Sequence, residues 1–276
     1  MTTIFITGSN DGLGRDAARR LVESGHTVVG HARSREKADR LRQELPGLAD
    51  VLVADLSSAG QVRRLADEAN DAFGTFDAVI LNAGVGFRER RRVETEDGHA
   101  HVLAINVLAP YLLTAWMHRP GRFVYLTSGM QQGGSTDLSD LDWKRRSWNG
   151  MQAYSDSKLL DATLAAAVAR RWAGVVSTSV SPGWVETKMG GAGAPDDLDA
   201  ASLTHAWLAV TDDEAALRSG AMFYHQEPIL WPGGGGARAL HSAVQNEAFQ
   251  DDLLAALAEL TGTELPAGEQ LMSVER

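Results

Sequence analysis

Tyr154 and Lys158 stand four positions apart in "MQAYSDSKLLDATLAAA" (151–167), at the head of an apolar, alanine-rich segment. Residues four apart share one face of a helix, so this spacing sets an ammonium beside a phenol. A free phenol, pKa ≈ 10, is a poor base near neutrality. A unit charge about 4 Å away, at an effective dielectric constant of ~20, is worth roughly 4 kcal/mol. An ammonium there favours the phenolate and brings the tyrosine towards general acid–base work. On a surface helix the same pair is an ordinary solvated contact, so the surroundings must decide.

A second chemical feature is "TGSNDGLG" (7–14), which follows the β-branched run "TIFIT" directly and opens a helix from about Gly14. Gly8 permits a tight turn, Gly12 removes a side chain where a pyrophosphate must approach the backbone, and Gly14 lets helix and strand pack closely. The helix N-terminus supplies free N–H groups and a partial positive charge. A third is Ser128, at the C-terminal end of the run "RFVYLTS", where an open α/β sheet puts its site.

These residues need a scaffold, and the chain alternates strand-like with helix-like segments. "HTVVGHA", "DVLVADL" and "FDAVILNAG" read as strands two to four, "RFVYLTS" as the fifth and "GVVSTSVSPG" as the sixth. Helices are expected over Ser34 to Leu45, across Val62, Leu65, Ala66, Ala69 and Phe73, over Thr95 to Met117 with a kink or break at Pro110, and over 152–172, 198–210 and Phe249 to Leu260. "GGAGAP" (190–195) reads as a mobile loop and "WPGGGG" (231–236) as an irregular turn. The strands are continuous apolar runs, as when helices cover both sheet faces. Repeated β–α pairs then imply an α/β fold, a Rossmann-type doubly wound parallel sheet flanked by helices on both faces. No linker or repeat divides the 276 residues, so 1–276 is expected to be a single domain.

The formal net charge of −10 argues against nucleic acid or an anionic membrane as the main partner. With no cysteine, disulfides, thiolate catalysis and cysteine-based metal sites are excluded, and no metal site is expected. The N-terminus lacks the basic and apolar runs of a signal peptide, and no stretch approaches the ~18 apolar residues of a membrane span. A soluble, cytoplasmic protein is the expectation.

The glycine spacing is T-G-x-x-x-G-x-G, which resembles the short-chain dehydrogenase/reductase superfamily, and further motifs over roughly residues 3–190 follow in that family's order. Asn82, Ala83 and Gly84 in "LNAG" resemble its N-A-G motif. Asn106 in "AINVLAP" matches its helix asparagine, and "SPGWVET" resembles its P-G-x-x-x-T segment. "TEDG" (95–98) and the long connection before Tyr154 look most like the retinol-dehydrogenase-like branch. The resemblance implies a nicotinamide cofactor, contacted by Gly8, Ser9, Asn10, Gly12, Leu13, Gly14, Arg33, Asp55, Leu56, Asn82, Ala83, Gly84, Tyr154, Lys158, Pro182, Gly183, Val185 and Thr187. It implies a catalytic tetrad of Asn106, Ser128, Tyr154 and Lys158, in which Ser128 holds the substrate oxygen against Tyr154. Asp55 would meet the adenine; by itself an Asp there is more often a helix N-cap, a role Ser57 or Ser58 can also fill. Relatives form dimers or tetramers, and the apolar stripe of 95–117 or 152–172 would serve a homo-oligomer here.

Tyr154 follows Ser128 by 26 positions, about twice the commonest family gap. The extended loop 129–151 carries Trp143, Trp148 and Met151, which either overhang the substrate as a lid or form a surface loop. Residues 184–276 would make up the substrate-side and C-terminal portion. "RERRR" (88–92) reads as a solvated face balanced by Glu94, Glu96 and Asp97. In "GHARS" Ala32 and then Arg33 stand where a carboxylate would repel a 2′-phosphate, so NADP(H) is favoured, with NAD(H) possible. Asp11 speaks the other way, and Arg33 stacking on the adenine would not discriminate. The expected function is interconversion of a carbonyl and an alcohol on a small, partly apolar substrate. Epimerisation or dehydration through a keto intermediate, and a non-catalytic dinucleotide-binding regulator, are the alternatives.

Overall fold

Strand β1 (Thr3–Ile6) is apolar from Ile4 to Ile6 because it serves two layers at once. Phe5 packs into one buried cluster, and Ile4 and Ile6 into another. In the computed structural model, which describes residues 1–268, the same alternation runs through β4 (Ala78–Leu81) and β5 (Arg122–Leu126). Val79, Leu81, Phe123 and Tyr125 face one layer, and Ala78, Ile80 and Val124 the other. Each such side chain contributes roughly 1.5–3 kcal/mol on burial.

With β2 (Thr27–Ala32), β3 (Asp50–Val53), β6 (Val176–Val180), β7 (Met222–Tyr224) and β8 (Glu227–Ile229) these strands form one sheet in the order β3-β2-β1-β4-β5-β6-β7-β8. Thr3 registers with Thr27, and Ile4 with Ala78. The order reverses between β1 and β4, so the crevice for a ligand opens beyond their C-terminal ends. One face carries α3 (Ala59–Phe73), α5 (Ala109–Trp116), α6 (Gly150–Arg171) and α8 (Glu247–Thr261); the other carries α1 (Gly12–Glu23), α2 (Arg35–Glu44) and α7 (Leu198–Val210).

Four features depart from the sequence reading. Helix α1 begins at Gly12, not Gly14, because the Asp11 carboxylate accepts the Gly12 N–H at 2.9 Å. Residues 95–100 are not helical. Glu94 bridges Ala100, and α4 (His101–Leu103) starts only there, running through a π turn at Ala104–Leu108 into α5. Pro110 falls at the start of α5, directly after the π turn, within a helix that runs on from α4. Strands β7 and β8 were unforeseen, and β8 runs antiparallel, so the sheet is not wholly parallel. The α6 stripe expected to meet a second copy is buried from Ala153 to Val168 within the chain. No helix among the described residues is long and apolar enough to cross a membrane. The last eight residues of the 184–276 portion lie outside the described residues.

Candidate active site

The glycine turn leaves β1 at the switch point. Gly8 has φ +65°, and a Cβ there would sit 2.9 Å from Ala83 Cα, so both backbone and space require glycine. A Cβ on Gly14 would sit 2.6 Å from Gly8 O. Asn82 Nδ2 donates to Thr7 O at 2.9 Å and Ala83 N to Thr7 Oγ1 at 3.0 Å, lashing the N-A-G segment to the turn. Buried Ser9 accepts from His31 N at 2.8 Å, and Asn10 is half-buried in the turn.

His31, which the sequence reading passed over within "GHARS", organises this turn. Gly8 N donates to its Nδ1 at 3.0 Å, and its Nε2 meets Ala54 O at 2.9 Å. The first bond makes Nδ1 the acceptor, so Nε2 carries the proton. Burial pushes its pKa down to about 4, which keeps the ring neutral.

Exposed Arg33 follows β2 at the outer end of the crevice, beside Asp55. Burial raises the Asp55 carboxyl, but hydrogen bonds from Ser57 N (2.9 Å) and Oγ (2.8 Å), with the Arg33 charge, outweigh it and hold it below the usual range. Asp55 does not cap α3. Ser58 stands at that N-cap without a side-chain bond, and Asp97 accepts the Ala59 N–H at 2.7 Å instead. Leu56 is buried.

The segment after β6 folds back onto the glycine turn. Pro182 is buried, Gly183 has φ +83°, and a Cβ on Gly12 would sit 3.4 Å from Thr187 Cγ2. Val185 packs with Leu13 and Ala201, and Lys188 pairs with Asp11. Asp11 thus faces a cation from the chain itself.

Two of the proton-transfer candidates, Asn106 and Lys158, meet under Gly84: a Cβ there would lie 3.4 Å from Asn106 Oδ1 and 3.7 Å from Lys158 Nζ, in contact with both. Asn106, in the π turn, accepts from Val85 N at 2.8 Å and donates to Ser157 Oγ at 2.9 Å. Lys158 Nζ lies 5.8 Å from the Tyr154 ring centroid and donates to Leu126 O at 2.7 Å and Asp161 Oδ2 at 2.8 Å. Phe87 meets the Tyr154 ring edge-on at 5.9 Å. Ser128 opens the turn Gly129–Gly133, which Gln152 Nε2 ties to α6 through Gly133 O at 2.7 Å. The glycine-rich 233–240 segment backs it: a Cβ on Gly129 would sit 2.8 Å from Ala237 Cα. Neither Phe87 nor Asp161 was foreseen, although an acid in the apolar run "LLDATLAAA" was a legible anomaly.

The extended loop has a core of its own. Trp143 is buried and packs edge-on against Trp148, whose Nε1 donates to Glu89 O at 2.9 Å. The two tryptophans are therefore not free lid contacts; of the three residues named for that role, Met151 is exposed, one turn before Tyr154. Arg92 is likewise not a solvated member of its cluster. It donates to Asp142 O at 2.7 Å and Gly98 O at 2.9 Å while pairing with Glu94.

The fold and this crevice define a dinucleotide-binding oxidoreductase scaffold, and the comparisons agree. The family profile described as short chain dehydrogenase matches residues 2–197. Short-chain dehydrogenase chyC of Penicillium rubens is 42% identical over 270 residues, covering 97% of this chain and 100% of that protein. Retinol dehydrogenase 14 of Homo sapiens is 31% identical over 214 residues, 68% of this chain and 63% of that protein. A crystal structure of a Mycobacterium Paratuberculosis protein superposes with TM-score 0.77 at 26% identity, covering 96% and 95% of the two chains. The chain belongs to the short-chain dehydrogenase family and is an NAD(P)-dependent dehydrogenase or reductase.

Proposed function

We propose that the protein interconverts a carbonyl and an alcohol on a small, partly apolar substrate with NADP(H), and that Tyr154 moves the proton. The observation that supports this reading is the meeting of Asn106 Oδ1 and Lys158 Nζ beside Gly84 at the switch point. The residues fit a dinucleotide: Gly8 and Gly14 let the turn close tightly against Ala83 and Asn82, at the N-terminus of α1 whose N–H groups suit a pyrophosphate. When bound, the nicotinamide supplies or accepts the hydride. Arg33 is exposed where a 2′-phosphate would lie, and its guanidinium suits that charge; Asp11 is already paired with Lys188, which weakens its objection to a phosphate.

Ser128 hydrogen-bonds the substrate oxygen and holds it against the Tyr154 hydroxyl. In reduction that hydroxyl gives its proton to the developing alkoxide, and in oxidation it takes one back. Lys158 stabilises the phenolate left behind and holds the ribose hydroxyls with its remaining N–H. Asn106, fixed by Val85 and Ser157, keeps the proton path in register. Phe87 forms an apolar wall beside the tyrosine ring.

The test is a paired screen of NADPH and NADH oxidation against ketones, aldehydes and quinones. Turnover of at least one carbonyl, faster with NADPH, is expected. Binding of either dinucleotide without turnover across the panel would favour the regulatory alternative, and a productive substrate with no net NADPH consumption would favour epimerisation or dehydration.

A further inference from the structure

Asp161 lies nearly one turn beyond Lys158 on α6 and is only 2% exposed, in an otherwise apolar stretch. Its Oδ2 accepts from Lys158 Nζ at 2.8 Å, while Oδ1 is buried with no partner. An ammonium has three N–H donors. Two of them are taken by Asp161 and Leu126 O, both fixed by the fold, which leaves one for a ligand beside Gly84. Burying a half-satisfied carboxylate is costly, and apolar packing usually serves stability as well as a buried ion pair does. Stability alone gives a poor reason for an acid at this position.

We propose that Asp161 is a positioning residue for the proton-transfer pair: its carboxylate fixes Lys158 and offsets part of the ammonium's pull on the Tyr154 phenol, setting the pH at which the enzyme turns over. The proposal rests on the reading of Tyr154 given above. The titratable groups facing Asp161 are Lys158 and, beyond it, Tyr154 on its own helix, and Tyr125 from β5. Thr114 of α5, bonded to the Tyr125 hydroxyl at 2.8 Å, and Asn106 of the π turn are neutral. Burial pushes the Asp161 carboxyl up to about 6 against the pull of Lys158, so the carboxylate is charged at neutral pH. Its charge reaches other groups in the layer. Burial chiefly, with Asp161 adding, holds the Tyr125 phenol well above its ordinary range.

The test is kcat/KM against pH, from 5 to 10, for NADPH-driven reduction of the best carbonyl from the screen. Reduction needs the protonated phenol, so the rate falls as pH rises through a midpoint. Asp161→Asn keeps the shape and a hydrogen-bond acceptor but removes the charge. Its midpoint should move to lower pH by about one unit or more, with NADPH affinity retained, and Asp161→Glu should return it towards wild type. An unchanged midpoint in a folded, NADPH-binding Asp161→Asn protein would overturn the proposal. Asp161→Ser carries the same test if the asparagine variant does not fold; if neither folds, Asp161 is structural and the proposal fails. Failure of the underlying reading shows separately, as full turnover by Tyr154→Phe.

Discussion

Phe87 and Tyr154 meet with ring centroids 5.9 Å apart at 68°, the edge-to-face geometry that aromatic pairs prefer. Such a contact is worth about 0.5–1.5 kcal/mol beyond area burial. If it steadies the phenol in its reactive position, Phe87→Ala should lower kcat/KM by about 2- to 10-fold, at 1.4 kcal/mol per tenfold, with NADPH affinity unchanged. Steady-state kinetics beside a fluorescence titration checks this, and an equal loss of cofactor affinity would contradict it. At this scale the sequence was most legible where chemistry is local. The Tyr154–Lys158 spacing and the glycine turn each span a few residues, so helix and turn geometry could be applied directly. Phe87, His31 and Asp161 escaped because their roles come from contacts that form only once the sheet is assembled. His31 is a strand residue whose ring reaches Gly8, on another strand's turn.

Asp142 pins the extended loop between β5 and α6. Its carboxylate accepts from His99 Nδ1 and Ala100 N, each at 2.8 Å, and meets Lys144 Nζ at 3.2 Å. Burial pushes the Asp142 carboxyl up, but these donors outweigh it and bring the pKa to about 2. Removing one partner of a buried pair leaves the others uncompensated, at about 3–5 kcal/mol. Asp142→Ala should therefore lower Tm by on the order of 10 °C and expose 130–148 to limited proteolysis. A melt within about 2 °C of wild type would show that the loop holds by other contacts. Long elements with apolar periodicity were readable in advance; β7 and β8 were not, having three residues each and cohering only through β6. Pro228 in β8, a residue unsuited to a central strand, stands at the sheet edge, where its missing N–H is tolerated. The helix expected from Thr95 starts late because the 95–98 segment turns back, Gly98 N bonding Thr95 O at 3.0 Å.

Across the whole molecule, burial of ionisable groups sets the response to acid. Burial holds both His31 and His205 down to about 4, whereas an unfolded histidine titrates near 6.5. The unfolded chain binds the extra protons, so this stability is full above pH 6.5 and is lost as pH falls towards 4, about 3 kcal/mol per histidine. Asp161 works in the opposite sense. Its folded pKa of about 6 exceeds the unfolded 3.8, so stability rises as pH falls across that interval. Two losses against one gain leave stability falling between pH 6.5 and 4. Urea midpoints measured across that range should show it, and Asp161→Asn should steepen the decline; a flat profile would contradict both. The sheet order itself was only partly legible. Alternating β–α pairs foretold a doubly wound sheet, but the reversal between β1 and β4 that opens the crevice is a property of the assembled topology. The proposed function rests on the hydroxyl of Tyr154 as the proton carrier in that crevice. The most direct measurement is therefore NADPH binding and carbonyl turnover by Tyr154→Phe, side by side with wild type. Unchanged NADPH affinity with turnover reduced by about 100- to 10,000-fold is the result expected of a lost general acid; turnover within a few-fold of wild type would contradict it.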